Sequence, residues 1–241
     1  MIEIEKITKT FGKKTAVREL SLTVKPGELF AFLGPNGAGK TTTIKTIAGL
    51  LRQDSGAVRI CGHDVREDAI AARMNMSYVP EQPYLYEKLT GREFLEFVGR
   101  MRRIERTARL ARIAEVAEML SLKDFLDDLG ETYSHGMKQR VVIAAALMRV
   151  PQALVVDEPM VGLDPRSARA VKDIFRRLAR DGAAVFMSTH TLSIAEELAD
   201  RVGIIHQGNL IACGTIDEVR SVSGGARGLE EMFLRLTAEE T

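Results

Sequence analysis

The sequence predicts an α/β fold: a core built on a mainly parallel sheet, with an N-terminal antiparallel β subdomain and an inserted α-helical subdomain. Three observations lead there. Residues 1–33 are β-rich and punctuated by turn residues, whereas residues 83–150 are helix-forming and rich in Arg, Glu, Ala and Leu. From Ala153 onward apolar strands and helices alternate, the pattern of a parallel sheet with crossover helices. A chain of 241 residues suits one such domain over residues 1–241, with residues 1–82 and 151–241 as core and residues 83–150 as the helical insertion.

The elements follow in order. Ile2 and Ile4 alternate with acids like a half-buried strand. Ala16-Val17 and then Leu20, Leu22 and Val24 continue the β pattern, and Phe11-Gly12-Lys13-Lys14 and Pro26-Gly27 supply the turns. Leu29-Phe30-Ala31-Phe32-Leu33 reads as a buried strand, and it runs into Gly34-Pro35-Asn36-Gly37-Ala38-Gly39-Lys40-Thr41. That octapeptide spells G-x-x-x-x-G-K-[ST], and the apolar residues after it, Ile44, Ile47 and Ala48, have helical spacing. Strand, glycine-rich loop and helix N-terminus together make an anion site, because backbone N–H groups converge on phosphate oxygens and the helix dipole favours negative charge. The core is therefore that of a P-loop NTPase. Gly34, Pro35, Asn36, Gly37, Ala38, Gly39, Lys40, Thr41 and Thr42 are the candidate nucleotide-binding residues, Lys40 reaching the β- and γ-phosphates and the Thr41 hydroxyl ligating Mg²⁺.

Asp54-Ser55-Gly56 turns into a short strand, Ala57-Val58-Arg59-Ile60. Helices are expected over 93–97, 104–120 and 141–148. The cluster Arg100-Met101-Arg102-Arg103 is accompanied by Glu96, Glu105, Glu115 and Glu118, which reads as a solvated helix face. Strands over 154–156, 184–187 and 202–205 then alternate with helices over 168–180 and 194–199. Leu154-Val155-Val156-Asp157-Glu158 is an apolar strand ending in two acids. A carboxylate at a buried strand end is costly to desolvate unless it meets a cation or donors, and beside a P-loop the cation is the nucleotide's Mg²⁺. Asp157 is the candidate metal ligand, and Glu158 the candidate base against the attacking water.

Composition excludes several classes. A net charge of +1 gives no electrostatic case for nucleic acid. Two cysteines, Cys61 and Cys213, are too few for a disulfide framework, and Cys61-Gly62-His63 has no second pair at metal-ligand spacing. The N-terminus lacks the apolar core of a signal peptide, and the longest apolar run, 141–148, falls far short of the ~18–20 residues that span a bilayer. A membrane role has to come through a partner.

Tyr133-Ser134-His135-Gly136-Met137-Lys138-Gln139-Arg140 is a second small-residue loop opening an apolar helix. Here the chain resembles, over essentially its whole length, the ATPase subunits of ATP-binding cassette (ABC) transporters. The stretch is similar to the family's signature loop, usually Leu-Ser-Gly-Gly-Gln: Ser134 and Gly136 are retained, while Tyr133, His135 and Met137 depart from it. The resemblance assigns further residues. Gln82 matches the Q-loop, which senses Mg²⁺ and the γ-phosphate. Asp164, in Gly162-Leu163-Asp164-Pro165, matches the D-loop that crosses to a second subunit. His190, after Ser188-Thr189, matches the switch histidine at the γ-phosphate, and Phe11 stands where an aromatic underlies adenine. By themselves His190 reads as a helix-cap histidine and Phe11 as a core aromatic. The resemblance also implies ATP and Mg²⁺, a head-to-tail homodimer in which each ATP lies between one P-loop and the opposite signature loop, and an integral-membrane permease that holds the subunit peripherally at the cytoplasmic face. Pro83-Tyr84-Leu85-Tyr86 falls at the groove that receives the permease, and two tyrosines and a leucine, Tyr84, Leu85 and Tyr86, just after a proline suit an interface anchor. Tyr86-Glu87-Lys88-Leu89-Thr90-Gly91-Arg92-Glu93, the Tyr-Ser-His-Gly-Met signature and Leu229-Glu230-Glu231-Met232-Phe233-Leu234-Arg235-Leu236 look like the multidrug or natural-product exporters with a separate permease. The alternatives are a soluble ABC-type ATPase of DNA maintenance or translation, which usually carries coiled-coil insertions or tandem cassettes, and a P-loop kinase, which has no use for a signature loop.

Overall fold

The computed structural model describes residues 1–222 and 228–237. In chain order the elements are β1 (Ile2–Phe11), β2 (Lys14–Val24), β3 (Leu29–Leu33), α1 (Lys40–Ile47), β4 (Ser55–Ile60), β5 (His63–Asp64), α2 (Ala69–Asn75) and β6 (Met76–Val79). They continue as α3 (Gly91–Met101), α4 (Arg106–Met119), α5 (His135–Leu147), β7 (Ala153–Asp157), α6 (Pro165–Arg180) and β8 (Ala184–Thr189), then α7 (Leu192–Leu198), β9 (Arg201–His206), β10 (Asn209–Gly214), α8 (Ile216–Val222) and α9 (Leu229–Thr237).

Two sheets organise the chain. The antiparallel sheet has strand order β2-β1-β4-β5, and the larger sheet has order β10-β9-β3-β8-β7-β6, parallel except for the β9–β10 pair. In the antiparallel sheet the alternation of Ile2, Ile4 and then Ile7 slips where the β1–β2 register shifts. Lys6 and Glu19 take positive φ there, and their N–H groups are satisfied by the hydroxyls of Ser21 and Thr8. Such bulges bend the strands, curling this sheet over the core.

Strands of the larger sheet are apolar on both faces, and their two-residue period sorts side chains into two cores. Leu29, Ala31, Leu33, Leu154, Val156, Val185 and Met187 pack with α5 and α6. Phe30, Phe32, Val155 and Phe186 pack on the other face with α1 and the antiparallel sheet. Phe186 lies 5.6 Å from Phe30 and 5.3 Å from Phe32 between ring centroids.

The helical insertion begins at Thr90, whose hydroxyl accepts from the Glu93 N–H while the Glu93 carboxylate accepts from the Thr90 N–H. This capping box starts α3 ahead of the expected 93–97 helix. Likewise α5 begins at His135, well before its apolar run, because Ser134 caps it. Strands β6 and β10 and helix α2 are absent from the reading of the sequence; β6 matters most, because it carries the chain from the core to the Gln82 segment. Because Phe186 is fully buried between two other rings, Phe186→Ala should destabilise the protein by roughly 3–5 kcal/mol. Urea titration followed by circular dichroism would measure it, and a loss below ~1 kcal/mol would show that this ring cluster on β3 and β8 does not anchor the core under the antiparallel sheet.

Candidate functional site

Strands β3, β8 and β7 lie side by side and parallel, so the loops that follow them emerge at one edge of the sheet. After β3 comes the P-loop. A side chain at Gly34 would come within 2.5 Å of the Ile205 carbonyl, and Gly39 takes φ 115° against the Ala16 carbonyl. Only glycine permits either approach. Behind the loop, the buried Lys40 donates from Nζ to the carbonyls of Gly34 at 2.6 Å and Pro35 at 3.2 Å. Burial lowers the Lys40 pKa, and the carboxylates of Glu158, Asp157 and Glu81 oppose that shift.

After β7 come the two acids. Asp157 pairs directly with Ser188 of β8 in the sheet register, and the Ser188 hydroxyl donates to Asp157 Oδ1 at 2.5 Å. Burial raises the Asp157 pKa, while hydrogen bonds from Ser188 and from the Thr41 hydroxyl act against it. The chain then turns sharply, with Glu158 at φ 49°, a left-handed conformation that is strained for a side chain of this kind. The turn is held by the Glu158 N–H, which donates to Ser188 Oγ at 3.1 Å. Glu158 Oε2 lies 2.9 Å from Nδ1 of His190, whose side chain remains 58% exposed while that of Glu158 is 9% exposed.

These groups line one cavity of about 430 Å³, whose walls include Phe11, Asn36, Gly37, Gly39, Lys40, Thr41, Thr42, Asp157, Glu158 and His190. Phe11 is half exposed at the rim, with Lys9 Nζ 5.4 Å from its ring centroid. Gly34, Pro35 and Ala38 belong to the loop itself without lining the cavity. Lys14, Ala16 and Glu81 also line it. Reading the sequence missed all three, and also the role of Ser188 as the link between Asp157 and Glu158. A hydroxyl ending a fully apolar strand was the available signal for Ser188. Glu81 and the Asp157 carboxylate, together with burial as the largest cause, push the Tyr78 hydroxyl up to about 12.

Four expected residues lie outside this cavity. Gln82 and Glu81 are both exposed on the segment after β6, and of the two only Glu81 lines the cavity. Ser134 and Gly136 form the N-terminus of α5, with Ser134 Oγ accepting from the Met137 N–H at 3.3 Å. Asp164 caps α6, accepting from the N–H groups of Arg166 and Ser167, and the Ser167 hydroxyl holds its carboxyl below the usual range. Tyr133, which replaces leucine in the signature pattern, is buried; its hydroxyl donates to the Phe125 carbonyl at 2.8 Å and accepts from the Gly91 N–H at 3.0 Å. In the presumed docking segment Leu85 is a core residue, so only Tyr84 and Tyr86 remain exposed, their rings 5.8 Å apart. The expectation that Leu85 anchors a partner is corrected accordingly.

Comparison with known proteins fits this geometry. Residues 17–161 match the family described as ABC transporter. The linearmycin resistance ATP-binding protein LnrL of Bacillus subtilis is 40% identical over 241 residues, covering 97% of this chain and 78% of that protein. A solved ATP-binding subunit of an ABC transporter superposes with a TM-score of 0.94 at 32% identity, covering 99% of this chain and 100% of the other. The ATP-binding cassette MJ0796, solved as a dimer bound to ADP and Pi after hydrolysis, superposes with a TM-score of 0.82 at 25% identity, covering 89% of this chain and 98% of that one. A P-loop cavity backed by the buried Asp157–Ser188 pair, with Thr41 beside it, and the Glu158–His190 pair, on this fold and with these relatives, makes the chain an ATP-hydrolysing, ATP-binding subunit of the ABC transporter family.

Proposed function

We propose that this subunit works as one half of a head-to-tail homodimer at the cytoplasmic face of a membrane, energising export through a separate permease. One observation carries the reading: the P-loop and the acids share a cavity, while Ser134, Gly136 and Asp164 lie outside it at helix N-termini. Those N-termini suit a nucleotide held by a second copy. The dimeric MJ0796 cassette supports this arrangement. A resistance ATP-binding protein among the relatives supports export of a natural product over a role in DNA maintenance or translation, and no helix among the described residues is long and apolar enough to cross a membrane.

The residues fit a nucleotide-bound Mg²⁺. Glu81, Asp157 and Glu158 face Lys40, Lys14 and the exposed His190, so the cavity alone cannot neutralise a triphosphate. Thr41 Oγ1 and the buried Asp157 carboxylate, already within hydrogen-bonding reach of each other, are hard oxygen donors of the kind Mg²⁺ takes alongside phosphate and water. When bound, the ion supplies charge neutralisation at the β- and γ-phosphates. Lys40 and the α1 N-terminus bind the triphosphate, and the Phe11 ring offers a flat face for the base. Glu158 takes the proton of the water whose oxygen bonds to the γ-phosphorus, as the bond from that phosphorus to the bridging oxygen breaks and ADP leaves. His190 holds the Glu158 carboxylate through Nδ1.

Glu158→Gln keeps the shape and removes the base, so turnover should fall roughly 10²–10⁴-fold while ATP still binds. The variant should accumulate as an ATP-bound dimer on a sizing column, and near-normal turnover would refute the role.

Complementation tests the shared site. Lys40→Ala and Ser134→Arg should each be inactive alone, because each damages a different half of every composite site. Mixed together they should recover up to one working site per heterodimer. Heterodimers that form but stay as inactive as either parent would rule out the head-to-tail arrangement.

On the membrane side, Tyr84 is 72% exposed and makes its ring contact only with the neighbouring Tyr86 among the described residues. Tyr84→Ala should leave folding and basal ATPase activity intact but uncouple turnover from the permease in reconstituted vesicles. Normal transport by that variant would remove Tyr84 from the interface.

A further inference from the structure

The signature loop and the segment that follows the catalytic acid meet at unusually small separations. A side chain at Gly136 would come within 2.6 Å of the Gly162 carbonyl. Gly162 itself takes φ 75°, and a side chain there would overlap Cδ2 of His135 and come within 3.1 Å of its Nε2. One turn further along α5, the fully buried Gln139 donates from Nε2 to the Pro159 carbonyl at 3.3 Å. The start of α5 is thus tied to residues 159–162 at three points, directly after Glu158. Where the family pattern has glycine, this chain has the imidazole of His135, placed against a backbone that no side chain at position 162 can share.

We propose that His135 is a positioning residue that locks the signature loop to the Gly162 segment, so that the two faces offered to a second copy, and the Glu158 turn behind them, move as one body. Glycine at position 135 would leave the first residue of α5 conformationally free and the space over Gly162 open. The exposed ring covers that space with its Cδ2 edge against Gly162, and its ionisation is not needed. The inference rests on the reading that Ser134, Gly136 and Asp164 face a partner copy. It adds that in this chain the pairing surface is ordered before the partner arrives.

The test measures ATPase activity of the full chain against its own concentration and against ATP, with melting temperature as a control. His135→Ala should raise the protein concentration at half-maximal activity about tenfold, because the ring contact that orders the loop against Gly162 before pairing is lost. The KM for ATP at saturating protein and the melting temperature should stay at parental values. His135→Phe, which keeps a ring, should behave like the parent. Gly162→Ala should lose about tenfold or more in turnover, since its methyl group overlaps the imidazole, and adding His135→Ala should recover at least about threefold of it; the remainder reflects the positive φ. A parental midpoint in His135→Ala, an equal loss in His135→Phe, or a Gly162→Ala that His135→Ala does not rescue would each overturn the lock. A parent that stays monomeric on a sizing column with ATP and Mg²⁺ while turning over at full rate would instead overturn the two-copy reading itself.

Discussion

A carboxylate with almost no solvent contact sets the terms for the whole site. Asp157 is 1% exposed at the end of β7, and an ionised group so placed is stable only if donors meet it. They come from two directions. Ser188 arrives from β8 because the parallel register pairs it with Asp157, and Thr41 arrives from the first turn of α1. A slip of one residue between β7 and β8 would turn Ser188 to the opposite face, strand the carboxylate and release the Glu158 N–H from the Ser188 hydroxyl. The register in turn depends on the two apolar layers. Phe186 and Met187, consecutive on β8, are committed to opposite cores, so neither can change face without emptying its place.

The same constraint links the fold to catalysis. Because Asp157 is pinned from both sides, the chain must reverse at Glu158, and a left-handed residue at this point delivers its carboxylate to His190. The acid is nearly buried and the histidine is open to solvent, and both line the cavity that the P-loop borders. The residues that continue from Glu158 pass Gln139 and His135 before Asp164 caps α6. On the proposed two-copy reading, one stretch of chain carries the chemistry at one end and the pairing surface at the other.

Much of the site was legible in the sequence because its chemistry is written in contiguous residues. Gly34 through Thr41 and the run into Asp157 and Glu158 each state a backbone conformation and a charge at fixed spacing. The sheet core was legible too, since β3, β7, β8 and β9 are short apolar runs, each next to a helix in the chain. Legibility failed where meaning depends on a neighbour distant in the chain. Whether Glu81 or Gln82 faces the cavity is decided by how β6 delivers its exit loop, and β6, with the mixed residues Met76-Ser77-Tyr78-Val79, gives no strong strand signal. Leu85 looked like part of an exposed aromatic segment until its burial against the helical core was visible. The bulges at Lys6 and Glu19 broke the period of β1 and β2 without any glycine to mark them. His135 read as an unexplained departure, and only the fold shows that Gly162 leaves room for it.

The central claim is that catalysis belongs to a site completed by a second copy, with Asp157 and Glu158 on one side and Ser134 and Gly136 on the other. The most direct measurement is a structure of the Glu158→Gln variant with ATP and Mg²⁺. The account predicts two copies related by a two-fold axis, each γ-phosphate contacted by Lys40 of one copy and by the α5 N-terminus of the other, with Mg²⁺ on Thr41 and Asp157. A monomer that fully encloses the nucleotide, or a dimer whose signature loops point away from the phosphates, would contradict it.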